Sequence, residues 1–294
     1  MFDIIKKSKL WFSISSVAIL LAMAAFGFNY FVHGRAMNFG IDFTGGTMLS
    51  LRFEKPVDLA AVRHILDDYK LGESIIQKTE GENNDVLIRT IPLENEIRAK
   101  IISDLNSKVS KAEILEADII GPTIGKELSQ QAVWALLIAS IGIIIYVSFR
   151  FEFFYALAAL LALYHDAIIT TGIMALLYRT IDVTFVAAIL TIMGYSINDT
   201  IVIFDRIREN LKKPNLAKKK FSELVNISIW ETMARSINTV LTVIVMVLCL
   251  LLLGGETLRE FSLTLLIGFT LGACSSIFVA PPLLVLWHTW ESKR

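Results

Sequence analysis

Long apolar runs without charge constrain this chain more than any other feature. Leu10 to Val32 is a run of 23 residues with no charged side chain, preceded by Lys6, Lys7 and Lys9. As a helix, such a run spans about 30 Å of hydrocarbon. A signal peptide would have a shorter core and a small-residue cleavage site, so the run is expected to be a retained span. Five more spans are expected at Ala132–Phe149, Phe154–Tyr178, Val183–Phe204, Ile237–Gly254 and Phe261–Trp287. The last contains Pro281-Pro282 and should kink or become interfacial near its end. Charged residues make up only 19% of the chain, against about a quarter in soluble domains.

Lys and Arg in the short loops set orientation. With the N-terminus inside, the inner segments hold fourteen: Lys6, Lys7, Lys9, Arg150, Arg206, Arg208, Lys212, Lys213, Lys218, Lys219, Lys220, Arg235, Lys293 and Arg294. The short outer loops hold two, Arg179 and Arg259. Both termini should therefore lie inside, and the long polar segment after the first span outside. The organisation expected is residues 1–32 as N-terminus and first span, 33–130 as an external domain, and 131–294 as five further spans with a basic inner loop at 205–235. The run Lys212–Lys220 is a topology determinant that also suits anionic lipid.

The external segment alternates strand and helix patterns. Thr47–Phe53 alternates as a strand, Asp58 caps a helix running to Asp68, and Ser74–Thr79 and Asp85–Ile91 read as strands around a Gly81–Asn84 turn. Glu94–Lys108 after Pro92 reads as a helix and Ala112–Ile119 as a strand. Strand, helix, strand, strand, helix, strand is the split βαβ order of a small α+β, ferredoxin-like domain. The fold class is thus a polytopic α-helical membrane protein of six transmembrane helices carrying that domain.

Composition excludes several functions. The net formal charge is zero, unlike a nucleic-acid binder. The two cysteines, Cys249 and Cys274, lie in apolar runs, and no cofactor fingerprint or metal-ligand spacing is present. The informative residues are polar ones inside spans, where an ionised group costs about 2.5–3.5 kcal/mol at mid-bilayer. In the fourth span Asn198 and Asp199 lie in Gly194-Tyr195-Ser196-Ile197-Asn198-Asp199-Thr200. A carboxylate balanced between desolvation and a nearby cation can load and release a proton. In the fifth span Arg235, Asn238, Thr239 and Thr242 share one helix face, which is expected to meet Asp199. His165 and Asp166, with Thr170 one turn on, form a second candidate relay in the third span; a fixed interhelical hydrogen bond is the alternative. Gly268, Gly272 and Ser276 make a small-residue packing face in the last span, and Gly194 is placed with them as a packing residue.

Three stretches carry a family resemblance. They are Asn38–Thr47 (NFGIDFTGGT), Gly121–Leu128 (GPTIGKEL), and Gly194–Asn210 (GYSINDTIVIFDRIREN). Together with the layout they resemble the SecF branch of the SecD/SecF family, membrane subunits of the bacterial protein translocase within the RND-like superfamily. The resemblance implies an accessory subunit that pairs with SecD. It also implies association with the SecYEG channel, action on the same unfolded preprotein as SecA, and YajC as a further partner. It implies use of the proton motive force, without a cofactor, at the bacterial inner membrane, with the large domain periplasmic. It assigns proton coupling to Asp199 and Arg235. For the residues Asp42, Gly45 and Gly46 of the first stretch the physical reading is a hinge: the glycines permit positive φ, and Asp42 can bond the turn's backbone. A stand-alone proton-driven exporter of small molecules is the competing function, weakened by six spans being half an RND protomer. An intramembrane enzyme built on His165-Asp166 is the third; it lacks a nucleophile or second ligand motif.

Overall fold

The computed structural model describes residues 2–72, 74–78 and 84–291. In chain order the elements begin with α1 (Ser8–His33), β1 (Asn38–Phe39), α2 (Ile41–Thr44), β2 (Gly46–Phe53) and α3 (Leu59–Asp68). Then come β3 (Ile75–Lys78), β4 (Asp85–Thr90), α4 (Asn95–Lys108), β5 (Ala112–Ile120) and α5 (Pro122–Arg150). The remainder is α6 (Phe153–Leu176), β6 (Thr180–Ile181), α7 (Val183–Leu211), α8 (Pro214–Ala217), α9 (Phe221–Leu253), α10 (Glu256–Phe278) and α11 (Ala280–Glu291). The chain divides into a helical unit, Met1–Asn38 with Trp134–Arg294, and an α+β unit, Phe39–Val133. Part of the Gly81–Asn84 turn lies outside the described residues, as do Thr79, Lys293 and Arg294.

Among the described residues, six helices are long and apolar enough to cross a membrane, the sixth being Leu258–Trp290 through α10 and α11. All six expected spans are present, but several helices run past them. The stretch Gly121–Leu128, expected to be a linker, supplies the first turns of α5, whose first residue Pro122 suits a helix start. The basic segment 205–235 is not a loop: α7 continues to Leu211 and α9 begins at Phe221. Hydropathy marks where a helix leaves hydrocarbon, not where its hydrogen-bond ladder stops. Beyond that point the ladder is held by Leu224, Val225 and Ile229, all buried, and by Arg206 bonding Glu231 at 2.7 Å across the two helices. The helix is interrupted where the prolines were expected to disturb it: α10 stops at Phe278, Val279 is stretched to φ −115°, and α11 carries Pro281 and Pro282 in its first turn.

Small residues set the packing of the helical unit. Ala22 and Ala25 of α1 are buried, and a Cβ on Gly172 of α6 would collide with Ala22. That close approach lets Asn29 donate to the Ala175 carbonyl at 2.7 Å. The N-terminal residues dock on α9: the Ile4 N–H donates to Asn226 Oδ1 at 2.9 Å and the Trp230 indole to the Phe2 carbonyl at 2.8 Å. Asp205 to Asn210 form an ionic belt at the same end of the unit. Asp205 meets Arg150 at 3.3 Å, and Asn210 donates to Glu231 at 2.7 Å and to Ser228 at 3.0 Å.

The α+β unit is a four-stranded antiparallel sheet in the order β3-β4-β2-β5. This order follows from the split βαβ pattern. Alternation on β2 turns Leu49, Leu51 and Phe53 inward, where they meet Val86 and Ile88 of β4, Val62, Ile65 and Leu66 of α3, and Ile101 and Leu105 of α4. Asp58 caps α3 by accepting from the Ala60 N–H at 3.0 Å. Arg52 and Asp85, directly opposite in register, form a two-pronged pair at 2.8 and 2.9 Å. The Gly45-Gly46 turn is closed by backbone bonds, Gly45 N–H to the Ile41 carbonyl at 2.8 Å. Both glycines have positive φ, +69° and +135°, and a Cβ on Gly46 would collide with the Thr90 carbonyl. A Cβ on Gly125 would lie 2.9 Å from the Gly45 nitrogen, so the first turns of α5 pack directly on this turn.

Three outcomes follow for this unit. It contains no cysteine, so expressed separately it should fold equally in reducing and oxidising buffer. Leu51, 0% exposed, should cost about 2–5 kcal/mol when replaced in Leu51→Ala, read from urea unfolding by circular dichroism. The third concerns Glu116 on β5. Burial, and then the negative charge of Asp118 two residues on, hold its carboxyl above the ordinary Glu range. The folded unit therefore binds that proton more tightly than the unfolded chain. Its stability should fall as pH rises from the ordinary Glu range through that raised value. Glu116→Gln should flatten this segment of the stability–pH curve; an unchanged slope would remove Glu116 as its source.

Candidate functional site

The approach of α10 to α7 decides which polar groups meet. Cβ atoms on Gly268 and Gly272 would run into Ile192 and Ser196 of α7, and Ser276 bonds Thr200 at 2.9 Å. A three-residue ladder, Gly268–Gly272–Ser276, thus lies against Ile192–Ser196–Thr200, each at a four-residue step. Gly194, expected to belong to this packing, does not: nothing lies within 4 Å of a Cβ there. It sits on the other face of α7.

Asp199 is on the buried face of α7, 7% exposed. Its Oδ1 accepts a 2.7 Å hydrogen bond from Ser236 of α9. Its Oδ2 is buried and has no hydrogen-bond partner among the described residues. The Tyr195 hydroxyl, one turn away on the same helix, is also buried without one, while its ring packs on Phe269 at 4.6 Å. Two neighbouring polar atoms without partners at this depth mark a place where a proton or a water would be accommodated.

Two expected members stand elsewhere. Asn198 is exposed, one residue and about 100° around α7 from Asp199. The polar stripe of α9 also points away: Arg235, Asn238 and Thr242 are exposed, Thr239 is partly so, and Arg235 has no ion pair within 4 Å among the described residues. Thr239 and Thr242 turn back onto their own helix, donating to the Arg235 and Thr239 carbonyls. The α9 residue that meets Asp199 is Ser236, buried at 1% exposure. Residue spacing showed which side chains share a face, not which way that face turns.

His165 and Asp166 lie together on α6. Asp166 is fully buried, with Oδ1 3.0 Å from His165 Nδ1. Its Oδ2 accepts from Ser275 of α10 at 2.6 Å and from Ser196 of α7 at 3.1 Å. The Thr170 hydroxyl, one turn along, is buried without a partner, and so is His165 Nε2. The serines that complete these contacts, Ser196, Ser236 and Ser275, escaped the sequence reading. A serine in an apolar helix costs little and can bond its own backbone, so only position tells it from the many that do.

Close packing of α10 makes a checkable demand. Gly268→Val would force Ile192 aside and overpack the α7–α10 contact. It should destabilise the purified protein by about 1–3 kcal/mol in detergent unfolding, with no such effect from Gly194→Ala.

The comparisons with known proteins agree with one another. Residues 100–290 match the family described as protein export membrane protein SecD/SecF, C-terminal, and residues 30–57 match the SecD/SecF GG motif. The protein translocase subunit SecF of Sebaldella termitidis is 41% identical over 293 residues, covering 98% of this chain and 92% of that protein. The subunit of the same name from Calditerrivibrio nitroreducens is 42% identical, with 97% and 93% covered, and that of Escherichia coli O157:H7 is 37% identical, with 92% and 83% covered. A crystal structure of SecDF, a translocon-associated membrane protein from Thermus thermophilus, superposes with a TM-score of 0.86 at 38% identity. The match covers 98% of this chain and 39% of that longer chain.

Proposed function

The chain belongs to the SecD/SecF family of protein-export membrane proteins, and from that premise we propose that it couples proton entry to preprotein movement through Asp199. It is a multi-pass inner-membrane protein and an accessory subunit of the Sec protein translocase. The finer reading is as follows. Both termini lie in the cytoplasm and the α+β unit is periplasmic, as the Lys and Arg distribution favours. No cofactor takes part; the proton motive force is the energy source. The observation that carries the reading is Asp199: a carboxylate inside a span, held on one oxygen by Ser236 of a neighbouring helix and open on the other.

Arg235 precedes Ser236 by one residue, about 100° around α9. Part of a turn of α9 would bring its long side chain toward Asp199 Oδ2. An arginine keeps its proton at every relevant pH, so it serves as a movable counter-charge and not as a relay. In contact it favours the carboxylate; withdrawn, it leaves Asp199 to take a proton. Proton binding and the rotation of α9 then bias each other.

Partners follow from the outward stripe. Arg235, Asn238 and Thr242 are polar and exposed on a membrane helix, a costly arrangement facing lipid. A second membrane subunit would cover them. SecD is that subunit, with SecYEG, SecA and YajC as further members of the machinery and an unfolded preprotein as substrate. The SecDF chain named above combines more than twice this length in one polypeptide, which supports the two-subunit reading over a stand-alone small-molecule exporter.

Asp199→Asn retains an acceptor for Ser236 but removes the titrating group. It should abolish stimulation of export by the proton gradient, at least tenfold, while co-purification with the SecD-like partner is unchanged. Arg235→Lys should keep part of the stimulation and Arg235→Met none. In a double-mutant cycle on proton flux, Asp199→Asn with Arg235→Met should lose no more than the worse single variant. Losses that simply add as free energies would make the two residues independent.

A further inference from the structure

Asp166 is a carboxyl with no exposure at the middle of a membrane helix, and the mechanism above does not use it. Two roles fit a buried acid with several partners: a lock between helices, or a site that changes protonation. The geometry separates them. Asp166 has partners on both oxygens: Ser275 donates at 2.6 Å and Ser196 at 3.1 Å to Oδ2, and the His165 ring lies 3.0 Å from Oδ1. Two hydroxyls, and an imidazole in the tautomer that carries its hydrogen on Nδ1, suit the ionised carboxylate, which accepts only. A lock needs nothing further. This site has more, because His165 Nε2 is buried and without a partner among the described residues. The pair can therefore hold one added proton on the far ring nitrogen, going from a net charge of −1 to zero. Each form has a structural home: three donors for the anion, a close ion pair for the protonated state.

Polar groups also lie on the inward side of the pair. Ser196 donates its hydroxyl to Asp166, and its carbonyl accepts from Ser276 at 3.4 Å. Ser276 in turn meets Thr200 at 2.9 Å, and Thr200 is the residue after Asp199. Along α7, Ser196 lies three residues from Asp199, a rise of about 4.5 Å. On the other side of Asp166, the unpartnered Thr170 hydroxyl lies one turn toward the expected outer face. The helices packed on α6 bring few competing charges. Among the described residues, α7 contributes Tyr195 and Asp199, and α10 contributes Cys274 near Asp166. Glu260 of α10 pairs with Arg179 at 3.4 Å. His33 and Tyr30 of α1 and His288 of α11 lie at helix ends, His33 stacked on Tyr178 and His288 on Phe221.

We propose that His165 and Asp166 form a second proton-binding centre of this subunit, lying outward of Asp199 and beside the seam of hydroxyls between α7 and α10. A proton from the outer side binds the pair, with His165 Nε2 as the receiving atom and Asp166 as the fixed counter-charge. It leaves toward Asp199, and the pair returns to its anionic form held by Ser196 and Ser275. The proposal rests on the reading of Asp199 as the coupling acid.

The experiment reconstitutes the subunit with its SecD-like partner in vesicles, imposes a proton gradient, and follows internal pH with an entrapped dye. Asp166→Asn keeps an acceptor oxygen for the two serines, so a mere lock would survive it. The expected result is a loss of flux of at least tenfold, with Asp166→Glu restoring half or more. His165→Gln keeps a donor toward Asp166 but removes the ring nitrogen that receives the proton, and should shift the pH midpoint of flux. Flux in Asp166→Asn within twofold of the unmodified complex overturns the proposal. If the Asp166 variants fail to assemble, His165→Gln decides alone, and an unmoved midpoint overturns it. Asp199→Asn is run beside them. Loss there with retention in Asp166→Asn removes only this second centre; retention in both removes the Asp199 reading as well.

Discussion

The distance between α7 and α10 is the constraint on which the polar interior depends. Glycines at 268 and 272 let the two backbones approach until Ile192 and Ser196 fill the space a side chain would occupy. At that distance a serine hydroxyl, the shortest polar side chain, can reach across. Ser276 reaches Thr200 of α7, and Ser275 beside it reaches Asp166 of α6. Larger residues at either glycine would separate the helices and leave a buried carboxyl without donors, which costs far more than the lost contact area. Packing by small residues and solvation of the acids are thus one design. The same logic recurs where Gly172 of α6 meets Ala22 of α1 and brings Asn29 to the Ala175 carbonyl.

Against this tightly packed layer, α9 is differently held. Its membrane half is mostly exposed, with Ile237, Leu241, Val245 and Met246 on its surface. Its other half is anchored by polar contacts, Ser228 and Glu231 to Asn210 and Asn226 to the N-terminal residues. Ser236 stands where the anchored half gives way to the exposed half, and it is the residue that holds Asp199. A single 2.7 Å bond from a hydroxyl can be exchanged at small cost, whereas the stacked glycines of α10 cannot slide without collision. Motion that alters the environment of Asp199 is therefore easier through α9 than through α10.

Much of this was legible in the sequence, for reasons that also explain what was not. Six spans stand out because desolvating charge is costly enough to clear it from each run. The βαββαβ order followed from alternation on Thr47–Phe53 and a capping Asp58, both local signals that the packing did not override. Helix ends were misplaced wherever an amphipathic turn continued beyond hydrocarbon, as at Leu211 and Phe221. Asp199 and Asp166 were visible because an acid inside an apolar run is conspicuous. Their partners were not. Thr239 and Ser236 look equally plausible beside Arg235, yet one bonds its own backbone and the other bonds Asp199. The choice depends on the rotation of α9, which hydropathy leaves undetermined when both faces carry polar residues.

The two acids differ in a way that suggests a division of labour. Asp166 has hydrogen-bond partners in three side chains on three elements counting its own, and none of them lies on α9. Asp199 has one donor, and that donor is on α9. A carboxyl with all its partners on closely packed helices keeps the same surroundings whatever α9 does. A carboxyl with one partner on the less enclosed helix changes its surroundings when that helix turns. Proton affinity that must respond to movement belongs at the second, and a site that must bind reproducibly belongs at the first. On the proposed reading, the placement of Ser236, one residue from Arg235, would give that response two environments: the neutral hydroxyl that is observed, and a cation after part of a turn. On the same reading, binding energy would be converted into motion at Asp199, where the two protonation states would favour different positions of α9.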